Sequence, residues 1–154
     1  MPELEGPIDG AGLRVCVVVS RWNEFITRQL CEGAVTTLRE CGLADSDITT
    51  AWVPGAFEVP TAAKWAAESG RFDAVVCLGA VVRGETAHFE YVAGGAAEGI
   101  RAVSLDTGVP VIFGVLTVDT VEQALSRTGG KDGHKGSESA RAAIEMVNLR
   151  KLMA

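Results

Sequence analysis

Arg14-Val15-Cys16-Val17-Val18-Val19-Ser20 carries no polar side chain between its ends, so an extended segment here is apolar on both faces. Such a strand belongs to a parallel sheet covered by helices on either side. The residues that follow fit that setting. From about Asn23 to Cys41, Ile26, Leu30, Ala34, Leu38 and Cys41 recur at helical spacing, and Gly42 stands where a cap glycine falls. Ile48 to Val53 reads as a second strand stopped by Pro54-Gly55. Pro60 and Gly70 then bracket a helix containing Ala62, Ala63, Trp65, Ala66 and Ala67.

The alternation continues. Ala74 to Gly79 is a third strand, and Arg83-Gly84-Glu85-Thr86 is the loop after it. His88 to about Asp106 reads as a helix, weakened by Gly94-Gly95. Val109 to Val115 is a fourth strand and Val121 to Arg127 a short helix. A glycine-rich segment from Gly129 to Gly136 precedes a last helix from about Ser137 to Leu152. Strands alternating with helices imply right-handed crossovers, hence a three-layer α/β/α sandwich on a four-stranded parallel sheet. The expected division is a loosely held N-terminal arm, residues 1–12, and a single domain, residues 13–154.

Composition agrees with an ordinary folded protein: 154 residues, 47% hydrophobic and 22% charged. A chain of this length buries enough surface to need neither metal nor disulfide. The net charge of -6 speaks against a nucleic-acid surface, which draws its affinity from clustered Lys and Arg. No apolar run reaches the roughly 20 residues that span a bilayer, and Met1-Pro2-Glu3-Leu4-Glu5 is acidic where a secretory signal is basic. Cys16, Cys31, Cys41 and Cys77 show no C-x-x-C spacing. The expectation is a cytoplasmic, reduced protein with no membrane or nucleic-acid partner.

In parallel α/β sheets ligands bind beyond the carboxyl ends of the strands. There the sequence places Ser20-Arg21-Trp22-Asn23, Gly55-Ala56-Phe57-Glu58, and the stretch from Val81 to His88, with Phe113 close to Thr117 at the fourth strand. The aromatics suit a flat ring, the Gly84-Glu85-Thr86 turn suits an anion, and His88 is placed to move protons beside it. Each has a plainer reading. Trp22 and Phe113 fit a core as well as a ligand contact, Glu58 favours a helix start, and His88 fits an ordinary helix-start histidine. Arg127, Lys131 and Lys135 fit solvated surface charges.

Several standard sites are absent. Lys135 precedes Gly136, so the glycine-rich segment does not satisfy the G-x-x-x-x-G-K-[ST] phosphate loop. No G-x-G-x-x-G follows the first strand, and no G-x-S-x-G occurs. His88 and His134, the only histidines, lack partners at zinc-ligand spacing.

Val53-Pro54-Gly55-Ala56-Phe57-Glu58-Val59-Pro60, the block from Leu78 to Val92, and Phe113-Gly114-Val115-Leu116-Thr117 with Glu122-Gln123-Ala124 strongly resemble the 6,7-dimethyl-8-ribityllumazine synthase family. So does Lys135-Gly136-Ser137-Glu138 with Ala143 to Asn148, and the resemblance runs in order from about Leu13 to Leu152. It implies a flavodoxin-like topology and the penultimate step of riboflavin biosynthesis. In that step 5-amino-6-(D-ribitylamino)uracil condenses with 3,4-dihydroxy-2-butanone 4-phosphate, releasing phosphate and water, with no metal or organic cofactor.

By the same resemblance, Trp22 stacks on the pyrimidine, and Ala56, Phe57 and Glu58 hold the ribityl chain and ring edge. Ala80, Val81 and Val82 bond the uracil through their main chain. Glu85 and Thr86 form the phosphate turn, and His88 transfers protons. Phe113 and Arg127 reach the site from a neighbouring subunit, as do Lys135 and Glu138, with Arg127 on the phosphate. The family assembles as pentamers with sites between subunits, and the short Gly129–Gly136 loop resembles members that build an icosahedral shell. Trp22 stands where Phe is common, His134 where Asn is common and Ser139 where Ala is common. Two other readings stay open: an archaeal-type riboflavin synthase, disfavoured by the phosphate-type turn and Arg127, and a non-catalytic flavin- or lumazine-binding shell protein.

Overall fold

The computed structural model describes residues 1–154. Its main sheet has four parallel strands in the order β2-β1-β3-β4, namely β1 Val15–Ser20, β2 Ile48–Val53, β3 Ala74–Val82 and β4 Val111–Val118. Helices α1 Glu24–Glu40, α2 Val59–Glu68 and α3 His88–Thr107 make the crossovers, and α4 Val121–Leu125 and α5 Lys135–Met153 complete the chain. This is a flavodoxin-like three-layer sandwich.

Strand alternation divides the interior into two cores. Val15, Val17 and Val19 of β1 join Ala74, Val76 and Leu78 of β3 under α1 and α5. Cys16, Val18, Val75 and Cys77 face the other way, under α2 and α3. Both β1 and β3 are buried along nearly their whole length, as their unbroken apolar runs require. Gly42 follows α1 at φ 109°, and the Leu43 N–H returns to the Leu38 carbonyl at 3.1 Å, closing the helix as expected.

Several features differ from the sequence reading, among them β4, which ends at Val118 and not Val115, and α4, which ends at Leu125 and not Arg127. β3 runs to Val82, beyond the Gly79 where the reading stopped, because Ala80, Val81 and Val82 pair with Leu116, Thr117 and Val118. Gly79 is not a terminator: a Cβ there would stand 2.8 Å from Ser20 Oγ, so the glycine admits close packing within the sheet. The glycine-rich segment holds a small antiparallel pair, β5 Thr128–Gly130 and β6 Gly133–His134, and α5 begins at Lys135 with His134 as its cap. Finally, the arm is not loose throughout. Asn148 Nδ2 donates to the carbonyls of Pro7 at 2.7 Å and Asp9 at 2.9 Å, the Gly10 N–H donates to the Cys41 carbonyl at 2.8 Å, and Gly6 is buried against the backbone of α5.

Glycines that weaken α3 as an isolated helix seat its neighbours. A Cβ on Gly95 would stand 2.5 Å from the Phe57 ring, and one on Gly99 would stand 2.6 Å from Pro60. Helix propensity is traded for close approach of α2 and the segment before it.

Candidate active site

A cavity of about 730 Å³ opens at the carboxyl edge of the sheet on the α2–α3 side. Trp22, Ala56, Phe57, Glu58, Ala80, Val81, Val82, Thr86 and His88 all line it. These nine sequence-derived candidates come from four separate segments, brought together because β1, β2 and β3 end at the same edge. Trp22 is 75% exposed and Phe57 59%, so neither is a core residue, and the core reading of Trp22 is set aside. Their rings flank an apolar floor built from Ala56, Ala80 and Val81.

The turn after β3 has the character of an anion cradle. The N–H groups of Gly84, Glu85, Thr86 and Ala87 donate to no group in the chain, and no side chain caps α3 at Ala87. Thr86 Oγ1 instead accepts from the His88 N–H at 3.3 Å, turning the chain into the helix. A helix N-terminus with unengaged N–H groups attracts negative charge. His88 is the first residue of α3, on the cavity wall beside these donors. The carboxylate of Glu58 folds back towards Gly55 at the start of α2; a Cβ at Gly55 would lie 3.7 Å from Oε2.

The remaining candidates stand elsewhere in the chain. Glu85 belongs to the turn but is exposed and absent from the cavity wall. Phe113 is the third residue of β4, opposite Cys77. It therefore lies four residues, about 13 Å, before Thr117 and not at the strand's carboxyl end; this corrects its placement among the edge aromatics. Arg127 lines a second recess of about 340 Å³ together with Arg83, Phe89, Asp119 and Gln123. Its guanidinium Nη1 donates to the Gln123 carbonyl at 2.8 Å and stands 3.5 Å from Asp132. Lys135 and Glu138 open α5, which packs on the opposite face of the sheet.

Sequence reasoning assigned no role to several residues that the fold places at the site. Asn23 lines the cavity with φ 64°, and its Nδ2 donates to the Ala80 carbonyl at 3.0 Å. Tyr91 and Val92 share the cavity wall with His88, as the i, i+3 and i+4 spacing along a helix allows. Arg83 gathers Asp119 at 2.8 Å and Glu90 at 2.5 Å, and lies 4.3 Å from the centroid of the Phe89 ring. The Arg83 hydrogen bond holds the Glu90 carboxyl below its ordinary value.

The fold and cavity define an α/β protein of flavodoxin-like topology whose candidate site joins exposed aromatic rings, unengaged backbone N–H groups and a histidine at one sheet edge. Residues 12–151 match the family model described as 6,7-dimethyl-8-ribityllumazine synthase. That span covers nearly the whole of the 154 residues, and the chain belongs to this family. Its role therefore lies in riboflavin biosynthesis.

Proposed function

We propose that this chain condenses 5-amino-6-(D-ribitylamino)uracil with 3,4-dihydroxy-2-butanone 4-phosphate to give 6,7-dimethyl-8-ribityllumazine, phosphate and water. The observation that carries the reading is the pairing, in one cavity, of the exposed Trp22 and Phe57 rings with the unengaged N–H groups of the Gly84–Ala87 turn. The first suits a planar pyrimidine and the second a phosphate.

In this reading the pyrimidine lies against Trp22, with its ring edge on the backbone of Ala80, Val81 and Val82. The ribityl chain runs along Ala56, Phe57 and Glu58. The phosphate sits on the turn at Glu85 and Thr86. The 5-amino nitrogen attacks the butanone carbonyl, and loss of water gives an imine. Phosphate is then eliminated to leave an enol, which tautomerises to a carbonyl at the carbon that bore the free hydroxyl. Attack of the ribityl-bearing nitrogen on this new carbonyl closes the ring with loss of another water. His88, beside the anion, accepts and returns protons through these steps. Holding amine and carbonyl together supplies much of the acceleration, so His88→Ala slows turnover without abolishing it.

Phe113, Arg127, Lys135 and Glu138 lie outside this chain's own cavity, which fits their entering the cavity of a neighbouring copy. A guanidinium from Arg127 then completes the phosphate site. The assembly proposed is a pentamer with sites between subunits, and the short Gly129–Gly136 segment favours twelve such pentamers in a shell. No helix is long and apolar enough to cross a membrane, and four free thiols fit a reducing, cytoplasmic setting.

The test supplies both substrates to the purified protein and follows lumazine by absorbance and fluorescence, with His88→Ala and Arg127→Ala alongside. The expected result is a rate above the uncatalysed background, with Arg127→Ala impaired chiefly in its use of the butanone phosphate. A rate no better than background overturns the proposal and leaves a binding protein. Light scattering and electron microscopy of the same sample test the assembly.

A further inference from the structure

Arg83 leaves the carboxyl end of β3, exposed but engaged by two carboxylates and an aromatic ring. Its N–H donates to the Val118 carbonyl at 2.8 Å. Its guanidinium Nε donates to Asp119 Oδ1 at 2.8 Å, and Nη1 donates to Glu90 Oε1 at 2.5 Å. The same group lies over the Phe89 ring. One side chain thus spans the Gly84–Ala87 turn, from the strand before it to the first helical turn after it, and also grips the end of β4.

The bonding continues from Asp119. Its N–H donates to Gln123 Oε1 at 2.7 Å, and Thr120 and Gln123 close a capping box at the start of α4. The Gln123 carbonyl accepts from Arg127 Nη1 at 2.8 Å. Hydrogen bonds through Asp119 and Gln123 therefore link Arg83, which flanks the anion turn, to Arg127. Each ion pair is exposed and weak taken singly. A planar fork engaged by two carboxylates and a stacked ring, however, has little freedom to reorient. With its charge matched by Asp119 and Glu90, Arg83 is poorly placed to serve as the anion's counter-ion.

We infer that Arg83, acting with Asp119, is a positioning residue for the anionic substrate, fixing the Gly84–Thr86 turn of its own site and, through Asp119, the Arg127-bearing segment that serves the neighbouring copy's site. The identity of that substrate rests on the proposed function. The inference separates cleanly from simple electrostatics. Asp119→Asn removes a negative charge near the site, which by Coulomb's law alone tightens anion binding; loss of a positioning contact weakens it.

The experiment compares wild type, Asp119→Asn, Arg83→Lys, Arg83→Met and the Arg83→Met/Asp119→Asn double variant. KM for each substrate is measured, with inorganic phosphate binding by calorimetry and thermal melting alongside. Expected are a rise of roughly tenfold in KM for the butanone phosphate in Asp119→Asn and Arg83→Met, with KM for the pyrimidine unchanged. Arg83→Lys, which keeps the charge but not the fork, falls between them and wild type. The double variant is no worse than the poorer single, since both break one contact. Unchanged or tighter phosphate use by Asp119→Asn, equal effects on both substrates, a wild-type Arg83→Lys, or additive effects each overturn the inference. Phosphate binding needs no turnover. A wild-type protein that binds phosphate but makes no lumazine counts against the proposed function alone, and one that binds no phosphate counts against both.

Discussion

The side-chain amide of Asn23 donates to the Ala80 carbonyl at 3.0 Å, joining positions 57 residues apart at the rim of the cavity. Asn23 is also the one non-glycine residue with positive φ, at 64°. The bond and the backbone conformation go together: the left-handed turn between β1 and α1 aims the amide across the sheet edge. Asparagine tolerates that conformation better than most residues.

Asn23→Ala loses the bond and strains the backbone, whereas Asn23→Gly loses only the bond. Chemical denaturation is expected to show the alanine variant less stable than the glycine variant by about 1 kcal/mol. Equal stabilities would refute the strain argument.

Two glycines between α1 and α5 respond differently to alanine. At Gly136 a Cβ would overlap the Leu30 carbonyl, which is helix backbone and cannot swing away. At Gly33 it would overlap the His134 imidazole, whose Nδ1 accepts from the Ser137 N–H at 3.2 Å. Moving that ring costs about 1 kcal/mol of capping, close to what alanine returns in helix propensity. Gly33→Ala is therefore expected near neutral in urea melts, and Gly136→Ala destabilised by roughly 2 kcal/mol. The reverse order would show that the helices do not meet this closely.

Ser20 is fully buried, and its Oγ has no hydrogen-bond partner. It lies beneath the cavity floor, near Gly79 and Ala56. Removing an orphan hydroxyl relieves its desolvation, so Ser20→Ala is expected to raise stability by about 1 kcal/mol. A destabilised variant would reveal a partner in solution.

The Glu90 carboxyl is held low chiefly by its hydrogen bond from Arg83. A carboxyl whose folded value lies below its unfolded one stabilises the fold above the unfolded value, and that stabilisation disappears as pH falls through the folded value. The Arg83–Glu90 contact should therefore survive acidification through the ordinary glutamate range and be lost only below it. Carbon-detected NMR titration should find Glu90 returned towards an ordinary carboxylate in Arg83→Met. An unmoved titration would mean that the contact is not populated.

Burial pushes the Cys16 thiol up to about 11, slightly offset by the charge of Arg71. Cys77 is pushed up by complete burial, with a further contribution from Cys16, and burial likewise raises Cys31. Cys41 is the only cysteine outside the buried set. At mildly alkaline pH a thiol-reactive dye should modify Cys41 first, with Cys16 and Cys77 following only at the rate of unfolding. Early labelling of Cys77 would contradict the packing of the sheet.

The order of elements was legible because hydrophobic periodicity is a local property. Val15 to Val19 announce a doubly covered strand, and Ile26, Leu30, Ala34 and Leu38 announce one face of a helix, whatever the rest of the chain does. The parallel sheet follows from their alternation, and the sheet edge in turn points to Trp22, Phe57, Thr86 and His88. Register is different, because it is set by which residues lie side by side across long stretches of chain. That β3 continues to Val82, that Phe113 sits opposite Cys77 and short of the strand end, and that Asn148 binds the arm at Pro7 all depend on pairing between distant segments. The Arg83–Asp119 contact, 36 residues apart, has the same origin. Each strand's apolar pattern selects its environment, but only the packed sheet decides which polar ends meet at its edge.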